Sequence, residues 1–540
     1  MTSELSYAGG ISDKPLLGQT IDANLRAAID RFADREALVD VAGGQRFTYA
    51  QLDTAIEDVA RGLLARGIAR GDRVGIWAPN CAEWFLVQYA TARIGAILVN
   101  INPAYRTHEL EYVLRQASVG ALISAQSFKT SDYKSMIEQI VPVLDTPTEV
   151  VYVAHDSWDA LLADGAGVSA DAVHDRAATL SFDDPINIQY TSGTTGFPKG
   201  ATLSHHNILN NGYFVGDGMS YTEQDRICVP VPFYHCFGMV MGNLASTSHG
   251  ACVVIPAPGF DPAATLAAVQ DERCTSLYGV PTMFIAELGL PDFADYDLSS
   301  LRTGCMAGSP CPVEVMKRVI AEMNMPEVTI CYGMTETSPV STQTGKHDSL
   351  ERRTGTVGRV HPHVEVMVVD AETDLPVPRG EPGELCTRAY SVMIGYWDEP
   401  EQTAEVLRNG WMHTGDLATM DADGYLNIVG RIKDMVIRGG ENVYPREIEE
   451  FLYTHPDVLD AQVIGVPDER YGEELMAWVR LRDGADTLTA ESLREFCAGS
   501  LAHYKIPRYV HVVDDFPMTV TGKVRKVQMR DEAIHLLGPT

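Results

Sequence analysis

The stretch Tyr190-Thr-Ser-Gly-Thr-Thr-Gly-Phe-Pro-Lys-Gly200 decides the architecture that this sequence predicts. The apolar run 186–190 is typical of a buried strand, and the Thr, Ser and Gly residues that follow it end in a single lysine, Lys199. Glycine lets backbone N–H groups approach an anion closely, hydroxyl groups add donors, and the lysine adds charge. The stretch therefore predicts a phosphate-binding loop at the end of a strand and makes a flexible surface turn the weaker alternative.

The loop differs from the nucleotide-binding patterns that are most often met. Pro198 precedes the lysine and Gly200 follows it, so the Walker A pattern G-x-x-x-x-G-K-[ST] fails. The sequence also lacks G-x-G-x-x-G, G-x-S-x-G and H-E-x-x-H, the patterns of dinucleotide-binding folds, α/β-hydrolases and zinc peptidases. We therefore expect a phosphate loop of a different class.

The composition is typical of a large folded chain with several structural units. The 540 residues carry 42 Lys plus Arg against 73 Asp plus Glu, a formal net charge of −31. This acidity disfavours binding to nucleic-acid phosphates or to an anionic membrane surface, so no nucleic-acid partner is expected. The 10 cysteines show no C-x-x-C pair and no metal-ligand spacing, which predicts buried free thiols.

The segment 227–260 contains no Asp, Glu, Lys or Arg. Prolines such as Pro230 and Pro256 interrupt it, and polar residues lie inside it, so we do not expect a membrane span. We predict instead a strand, a turn, a helix and a second strand in a core or beside an apolar pocket. The N-terminal residues show no basic stretch followed by an apolar one, which predicts a cytoplasmic protein.

The spacing of apolar residues predicts an α/β fold. Helical spacing alternates with short apolar strands at 21–32, 49–66, 73–77, 81–94, 96–101, 121–124 and 149–153. This rhythm predicts parallel-rich βα sheets in a large N-terminal domain. The segment 164–178 is rich in Ala, Gly and Asp and only weakly patterned, so we expect it to be a surface loop.

Beyond Pro362 the pattern changes. Strand-like runs at 363–370 and 383–387 indicate a β-rich subdomain. The tail after Arg431 is predicted as helix, strand, strand, helix and strand, at 447–454, 458–466, 475–481, 490–501 and 509–513. We therefore divide the chain into an N-terminal domain, residues 1–432, and a small mobile α+β C-terminal domain, residues 433–540.

Further motifs follow the phosphate loop along the chain. In order, they are Pro232-Phe-Tyr-His235-Cys-Phe-Gly238, Ala307-Gly308-Ser309-Pro310, Tyr332-Gly333-Met334-Thr335-Glu336, Thr414-Gly415-Asp416, Gly430-Arg431-Ile-Lys433-Asp434 and Thr521-Gly522-Lys523. Together with the loop, they resemble the ordered motifs of the adenylate-forming superfamily, which includes acyl-CoA synthetases, peptide-synthetase adenylation domains and firefly luciferase. Within it, Arg438-Gly-Gly-Glu-Asn-Val-Tyr444-Pro445 and His503-Tyr-Lys-Ile-Pro507 are most similar to medium-chain fatty acyl-CoA synthetases.

The resemblance implies a reaction in two steps. A carboxylate attacks the α-phosphate of ATP to give acyl-adenylate and pyrophosphate, and the thiol of coenzyme A then takes the acyl group and releases AMP. The implied function is that of an ATP-dependent carboxylate–CoA ligase, with ATP, Mg²⁺ and coenzyme A as its small molecules and a fatty acid as substrate. Two alternatives stay open, an enzyme that loads an acyl carrier protein and a nucleotide-binding pseudoenzyme. Association into a homodimer is also left open.

The resemblance implies roles for individual residues as well. Lys523 would bridge the attacking carboxylate and the α-phosphate, and Lys433 would mark the hinge about which the C-terminal domain rotates. His235 would line the pocket near the carboxylate without acting as a base. The residues implied in binding ATP or AMP are Thr191, Ser192, Gly193, Thr194, Thr195, Gly196, Lys199, Gly308, Ser309, Pro310, Tyr332, Gly333, Met334, Thr335, Glu336, Asp416, Arg431 and Lys523.

Within this set, the resemblance implies that Glu336 holds Mg²⁺, since a carboxylate suits a hard cation. Asp416 would accept hydrogen bonds from ribose hydroxyls, and Tyr332 would stack on adenine. Coenzyme A would be bound by Arg438, Gly439 and Gly440, where small residues let a ligand pass close to the backbone. A plain glycine turn is the competing interpretation of this last stretch.

Overall fold

The structure is a computed structural model that describes residues 4–191, 198–439, 441–468, 470–485, 487–519 and 523–538. It confirms the predicted α/β fold. The α-helices are α1 (Ile21–Phe32), α2 (Tyr49–Ala65), α3 (Ala82–Ile94), α4 (Thr107–Gln116), α5 (Tyr133–Ile140), α6 (Asp156–Gly165), α7 (Ala170–Ala178), α8 (His205–Gly218), α9 (Ala245–Thr247), α10 (Pro262–Asp271), α11 (Pro281–Leu288), α12 (Val313–Glu322), α13 (Leu350–Gly355), α14 (Pro400–Val406), α15 (Pro445–Leu452), α16 (Ala490–Cys497) and α17 (Lys526–Leu537).

The strands form sheets that differ in their direction of pairing. They are β1 (Tyr7–Gly9), β2 (Glu36–Asp40), β3 (Gln45–Thr48), β4 (Arg73–Trp77), β5 (Ile97–Asn100), β6 (Ala121–Ser124), β7 (Ser127–Phe128), β8 (Ser131–Asp132), β9 (Glu149–Tyr152), β10 (Pro185–Thr191), β11 (Lys199–Ser204), β12 (Arg226–Cys228), β13 (Cys252–Ile255), β14 (Ser276–Gly279), β15 (Thr303–Ala307), β16 (Glu327–Gly333), β17 (Val340–Gln343), β18 (Arg359–Val360), β19 (Val364–Val369), β20 (Gly383–Ala389), β21 (Gly395–Tyr396), β22 (Leu407–Arg408), β23 (Trp411–Met420), β24 (Leu426–Arg431), β25 (Val436–Arg438), β26 (Glu441–Val443), β27 (Val458–Asp468), β28 (Gly472–Leu481) and β29 (Tyr509–Val512).

The first large sheet contains the strand that leads into the phosphate loop. Its strands lie in the order β21-β11-β10-β5-β4-β6-β9. The strands from β10 to β9 pair in parallel, whereas β11 turns back antiparallel to β10. The inner strands are buried almost throughout, as parallel strands covered on both faces should be. The predicted alternation of short strands and helices is confirmed in this region.

The second large sheet carries the next motifs at the ends of neighbouring strands. Its order is β18-β17-β16-β15-β14-β12-β13-β2-β3, with parallel pairing from β2 to β16. Because parallel neighbours end at the same edge, the turn after β15 lies beside the turn after β16. The motifs 307–310 and 332–336 therefore share the carboxyl edge of the sheet, where α/β folds bind their ligands.

An antiparallel sheet in the order β1-β19-β20-β23-β22, with β24 on β23, follows in the chain. It confirms the predicted β-rich subdomain and the strands predicted at 363–370 and 383–387. β23 and β24 pair so that Asp416 faces Arg431. The sheet thereby brings the ribose motif and the start of the hinge motif together.

The C-terminal sheet has the order β26-β25-β28-β27, with β29 parallel to β28. The predicted strands and helices of the tail are confirmed, but the sequence did not predict helix α17. Met529, Ala533 and the partly buried Leu537 form an inward face at four-residue spacing. Val527 and Leu536 are apolar and exposed, so the apolar pattern of the sequence is blurred. β24 ends at Arg431, and β25 begins at Val436. The domain boundary between residues 432 and 433 lies in this connection and stays a prediction.

The loop expected at 164–178 is wrong, because α6 and α7 occupy this segment. The Ser169 side chain caps α7 by accepting the N–H of Ala172, and alanine has the highest helix propensity. Helix α6 packs closely on α2, where a Cβ atom at Gly62 would lie 2.4 Å from the carbonyl oxygen of Leu161. Only Val173 of α7 is buried, so this helix shows almost no apolar pattern.

The uncharged segment 227–260 forms the predicted strand, turn, helix and strand. Its helix is unusual, since residues Phe237–Leu244 are π-helical, and all of them are buried. Among the described residues, no helix has both the length and the apolar character that crossing a membrane would need. The 10 cysteines are free thiols, and each except Cys81 is buried.

Candidate active site

The phosphate loop connects two antiparallel strands. β10 ends at Thr191 and β11 begins at Lys199, and these residues pair across the ladder. The Thr191 hydroxyl hydrogen-bonds the Lys199 carbonyl oxygen over 3.4 Å. The strand entry predicted from the sequence is thus confirmed. Loop positions Ser192, Gly193, Thr194, Thr195 and Gly196 lie outside the described residues.

Glu336 lies in the short turn after β16 and is buried. The Tyr396 hydroxyl donates a hydrogen bond to Glu336 Oε1 over 2.8 Å. The Lys199 ammonium lies over the ring of the same tyrosine, 5.2 Å from the ring centre. Tyr396 therefore links the Glu336 carboxylate to the lysine at the end of the phosphate loop. With Oε1 held by a neutral donor, the other carboxylate oxygen can serve a hard cation.

Asp416 connects three elements of the candidate site. Its Oδ2 accepts a hydrogen bond from the Tyr332 hydroxyl over 2.7 Å, and its Oδ1 pairs with Arg431 Nε over 2.9 Å. Burial and the adjacent carboxylate raise the pKa of Tyr332, so the hydroxyl stays protonated and donates. The tyrosine and the arginine thus fix the direction of the Asp416 carboxylate.

Lys523 reaches this region from the C-terminal part of the chain. A Cβ atom at Gly308 would lie 3.7 Å from Lys523 Cε, so the lysine side chain passes over the turn after β15. Gly308 itself has a φ of +88°, in the left-handed region that favours glycine. Lys523 lines a small cavity together with Val231, Pro232, His235, Phe237, Val280 and Gly308.

The electrostatic surroundings of Lys523 are mixed. Burial lowers the pKa of the Lys523 ammonium from its ordinary value, and the positive charge of Arg431 lowers it further. The carboxylates of Asp416 and Glu336 act in the opposite direction. A lysine that is partly desolvated between two carboxylates and an arginine is placed where anionic ligands would be held.

His235 is neutral at ordinary pH. Burial, with a smaller contribution from Lys523, lowers the pKa of His235 to about 3. The backbone N–H of Phe237 donates to His235 Nδ1 over 3.1 Å, so Nδ1 is an acceptor and the ring proton lies on Nε2. This geometry fits the expectation that His235 lines the pocket.

The remaining predicted nucleotide residues lie in the two turns at the edge of the second sheet. Ser309 and Pro310 follow Gly308, while Met334 and Thr335 follow Gly333 at the end of β16. A Cβ atom at Gly333 would lie 1.7 Å from the Pro339 carbonyl oxygen, so this position of the motif admits only glycine. The structure therefore brings both turns to the edge on which Lys523 lies.

The predicted hinge and coenzyme A residues lie farther along the chain. Lys433 is exposed in the short turn between β24 and β25. Arg438 pairs with the buried Glu474, Nε to Oε1, over 2.5 Å, and its guanidinium lies over the Tyr471 ring. Gly439 has a φ of +61°, and Gly440 lies outside the described residues. In this arrangement, Arg438 therefore contacts its own C-terminal sheet.

Helix α15 joins the C-terminal part to the loop before α12. Arg446 Nη2 donates to the Cys311 carbonyl oxygen over 3.3 Å and pairs with Glu450 over 2.8 Å. The Glu450 carboxylate also accepts the backbone N–H of Val313, and burial raises its pKa. These contacts hold the C-terminal part against the segment that follows the Gly308 turn.

Sequence reasoning missed two residues of the site. Tyr396 hydrogen-bonds Glu336, which lies 60 positions before it, and Glu384 accepts the N–H of Gly415, which lies 31 positions after it. Neither pair has a local spacing that could indicate its contact. Each contact depends on which strands become neighbours in a sheet.

Comparison with known proteins agrees with this geometry. The model of the family described as AMP-binding enzyme matches residues 25–397, and the model of the AMP-binding enzyme C-terminal domain matches residues 447–523. The matches contain the phosphate loop, the Glu336 turn and Lys523. They leave out 398–446, where Asp416, Arg431 and the hinge motif lie.

Named relatives and solved structures extend the likeness over nearly the whole chain. A putative acyl-CoA synthetase, YngI of Bacillus subtilis, is 48% identical over 96% of this chain and 98% of its own. The mitochondrial medium-chain acyl-CoA ligase ACSF2 of Danio rerio is 46% identical over 99% and 92%. The crystal structure of ATP-bound MatB from Rhodopseudomonas palustris superimposes with a TM-score of 0.85 at 31% identity, covering 96% of this chain and 100% of that one. The chain therefore belongs to the AMP-binding, adenylate-forming enzymes and, among them, to the acyl-CoA synthetases.

Proposed function

We propose that the protein is an ATP-dependent carboxylate–CoA ligase that activates medium-chain fatty acids, with Lys523 as the catalytic residue of adenylation. The observation that carries the proposal is the position of Lys523, in a cavity beside His235 and Gly308. It lies there in the field of Asp416 and Glu336. A fixed ammonium in a water-poor site is suited to holding two anions together while they react.

In the first step, a carboxylate oxygen of the acid would attack the α-phosphorus of ATP, and the bond from that phosphorus to the pyrophosphate oxygen would break. The Lys523 ammonium would hydrogen-bond both the attacking carboxylate and the α-phosphate, offsetting the charge that develops there. Lys199 would bind the outer phosphates together with the predicted loop at 192–197. This step needs positioning and charge rather than a base, which agrees with a neutral His235.

The nucleotide would be oriented by the residues around Asp416. Asp416 would accept hydrogen bonds from ribose hydroxyls, and Arg431 would contact the ribose or a phosphate. Tyr332 would stack on adenine, because the hydrogen bond to Asp416 fixes the orientation of its ring. The pairing of β23 with β24 supports these roles, since it places Asp416 opposite Arg431 before any ligand arrives.

Glu336 is the residue that would hold Mg²⁺. The fit is supported by its burial and by the Tyr396 hydroxyl, which occupies Oε1 and leaves the second oxygen for the ion. When bound, Mg²⁺ would neutralise charge on the outer phosphates. Tyr396 would keep Glu336 in place and would hold Lys199 beside it through the contact with its ring.

For the second step, we propose that the C-terminal domain rotates about Lys433 and brings the segment from Arg438 to Gly440 to the acyl-adenylate. The coenzyme A thiol would then attack the acyl carbon, and AMP would leave. A cavity beside Arg438 is lined by four arginines against two acidic residues, Asp468 and Glu474, and this excess of positive charge supports an anionic ligand at this surface. The exposed position of Lys433 between the sheets is compatible with such a hinge.

The acyl chain would lie along the uncharged segment 227–260. Phe237 lines the cavity of Lys523 and stacks on Tyr278, with ring centres 5.6 Å apart. An apolar wall that begins next to the reacting carboxylate suits an aliphatic tail, and a relative named a medium-chain acyl-CoA ligase supports this chain length. Each additional buried methylene contributes only about 0.8 kcal/mol, so neighbouring chain lengths should overlap as substrates. The cytoplasmic location and the homodimer stay predictions.

The test is pyrophosphate release over a panel of carboxylates, from acetate to palmitate plus benzoates, each with and without coenzyme A. We expect steady turnover that requires coenzyme A and is fastest with medium-chain acids. Release that stops after a single turnover with or without coenzyme A would indicate a carrier-protein acceptor. No release with any acid would contradict the proposed activity and favour a pseudoenzyme.

A further inference from the structure

The strand that carries Asp416 is irregular at the ribose motif. β20 and β23 pair antiparallel, but their register shifts between Glu384 and Cys386. Residues 414–416 of β23 therefore stand opposite the single residue Leu385 of β20 and bulge out of the ladder. Gly415, in the middle of the bulge, has a φ of +69°, in the left-handed region that favours glycine. On the β24 side Asp416 is paired opposite Arg431, whereas on the β20 side the ladder does not hold the backbone from which Asp416 begins.

Glu384 supplies the hydrogen bond that the ladder lacks at this point. Its Oε1 accepts the backbone N–H of Gly415 over 3.0 Å. The Thr414 hydroxyl supports the same bulge, because it donates to the Leu385 carbonyl oxygen over 2.7 Å and accepts the N–H of Asp416 over 3.1 Å. Backbone donors inside a protein need partners, so removing the Glu384 carboxylate would free the bulge to change shape.

The second oxygen of Glu384 is held as well. His413 Nδ1 lies 2.9 Å from Oε2, and Arg408 Nη2 lies 2.6 Å from the same ring nitrogen and 3.7 Å from Oε2. Glu384, Cys386 and His413 present ligand atoms within 4.8 Å of one another, a spacing that a metal ion could use. One ring nitrogen cannot donate to Glu384 and accept from Arg408 at the same time. Oε2 is therefore held either by the Nδ1–H group of His413 or by the charge of the Arg408 guanidinium, which already supplies a cation to this cluster.

We propose that Glu384 is a positioning residue that aims the Asp416 carboxylate at the ribose and thereby makes the enzyme select ATP over deoxy-ATP. The inference rests on the proposed role of Asp416 as the acceptor of ribose hydroxyls. Tyr332 and Arg431 hold the carboxylate end of Asp416, whereas Glu384 holds the backbone from which this side chain begins. Both ends must be fixed for the two hydroxyls to be recognised together.

The experiment compares kcat/KM for ATP, 2′-deoxy-ATP and 3′-deoxy-ATP in carboxylate-dependent pyrophosphate release. Glu384→Ala should reduce the preference for ATP over both deoxy analogues about tenfold and should raise KM for ATP more than it lowers kcat. Glu384→Gln should retain most of the preference, because its amide oxygen can still accept the N–H of Gly415. Where Glu384→Ala does not fold, Glu384→Asp replaces it, since the shorter side chain keeps the charge but withdraws from Gly415.

The matched control is Glu365→Ala, which removes a half-buried carboxylate that pairs with Arg388 in the same antiparallel sheet and should leave the preference unchanged. Asp416→Asn separates the two proposals. If Asp416→Asn lowers the preference while Glu384→Ala leaves it intact, the inference about Glu384 is wrong. If Asp416→Asn itself leaves the preference intact, the assigned ribose role fails first. A Glu384→Gln enzyme as impaired as Glu384→Ala would also overturn the inference, because the hydrogen bond would not be what matters.

Discussion

The nucleotide side of the site and its lysine side are built in different ways. Asp416 and Glu336 lie on or beside sheets of the N-terminal part and are hydrogen-bonded by side chains of the same part. Lys523 is held by its backbone in the C-terminal part, where its N–H donates to the Thr519 hydroxyl over 3.0 Å, while its side chain lies beside Gly308. The difference teaches that the proposed nucleotide contacts are held within one part of the chain, whereas the proposed catalytic charge comes from a part that lies later in the sequence.

The largest effect should come from removing the lysine. Lys523→Ala should reduce adenylation by about 10²–10³-fold, the usual cost of deleting a preorganised donor to a developing charge. Thioester formation from supplied acyl-adenylate should be largely intact, because the role proposed for the lysine ends once the adenylate has formed. Single-turnover assays of each half-reaction measure the two effects, with Lys317→Ala, on the surface of α12, as control. Equal loss in both half-reactions would contradict the separation of the two sides.

A change on the nucleotide side should affect both half-reactions. Asp416→Asn removes the charge that pairs with Arg431 and should raise KM for ATP about tenfold or more, the usual range for a hydrogen bond to a charged group. It should also weaken the use of supplied acyl-adenylate, which carries the same ribose. Asp423→Asn, in a turn of the same sheet, is the control. An effect restricted to adenylation would contradict the expectation that Asp416 binds the ribose in both half-reactions.

The contact between the two parts allows a milder test. Arg446→Ala removes the bond to the Cys311 carbonyl oxygen and the pairing with Glu450. We expect adenylation to slow about two- to tenfold, the value of one such hydrogen bond, and thioester formation to be unchanged or faster. Stopped-flow measurement of the rates of both half-reactions tests this expectation, with Arg318→Ala on α12 as the control. Slowing of thioester formation alone would show that this contact stabilises the rotated arrangement proposed for the second step.

The smallest effect at neutral pH should appear in the pH profile. Burial lowers the pKa of Lys523 below its ordinary value of 10.5. Since only the protonated lysine can bridge two anions, adenylation should fall as pH rises through this lowered pKa, whereas thioester formation from supplied adenylate should not follow the same curve. Rates of the two half-reactions between pH 7 and 10.5 test this expectation. If the rates of both half-reactions fell in the same way at alkaline pH, the fall would be caused by a group other than Lys523.

The sequence predicted the parts of the site that lie within single motifs. Glu336, Asp416 and Lys523 each stand in a short pattern whose residues are neighbours in the chain, so their chemistry could be inferred without a fold. The order of strands and helices could also be inferred, because apolar periodicity reports burial directly. The positions of Ser192 to Gly196 relative to a phosphate stay a prediction.

What the sequence could not predict depends on the register of the sheets. Glu384 reaches Gly415 only because β20 and β23 pair with a bulge, and Tyr396 reaches Glu336 only because β21 lies beside β11. The segment 164–178, for which we expect a loop from the sequence, contains α7, and α7 buries only Val173, so it leaves little periodic signal. The spacing of residues within a short stretch of sequence does not indicate which distant strands will pair.

The π-helix at Phe237–Leu244 has a consequence for how the acyl preference can change. A π-helical turn contains an extra residue relative to an α-helical one, so deletion of a single residue would let the segment relax into an α-helix. The residues after the segment would keep their places, because the wider turn had absorbed the extra residue, whereas side chains within the segment would face different neighbours. We therefore expect this wall to be retuned by changes in chain length as readily as by substitution, a route by which related enzymes can diverge in the acids they accept.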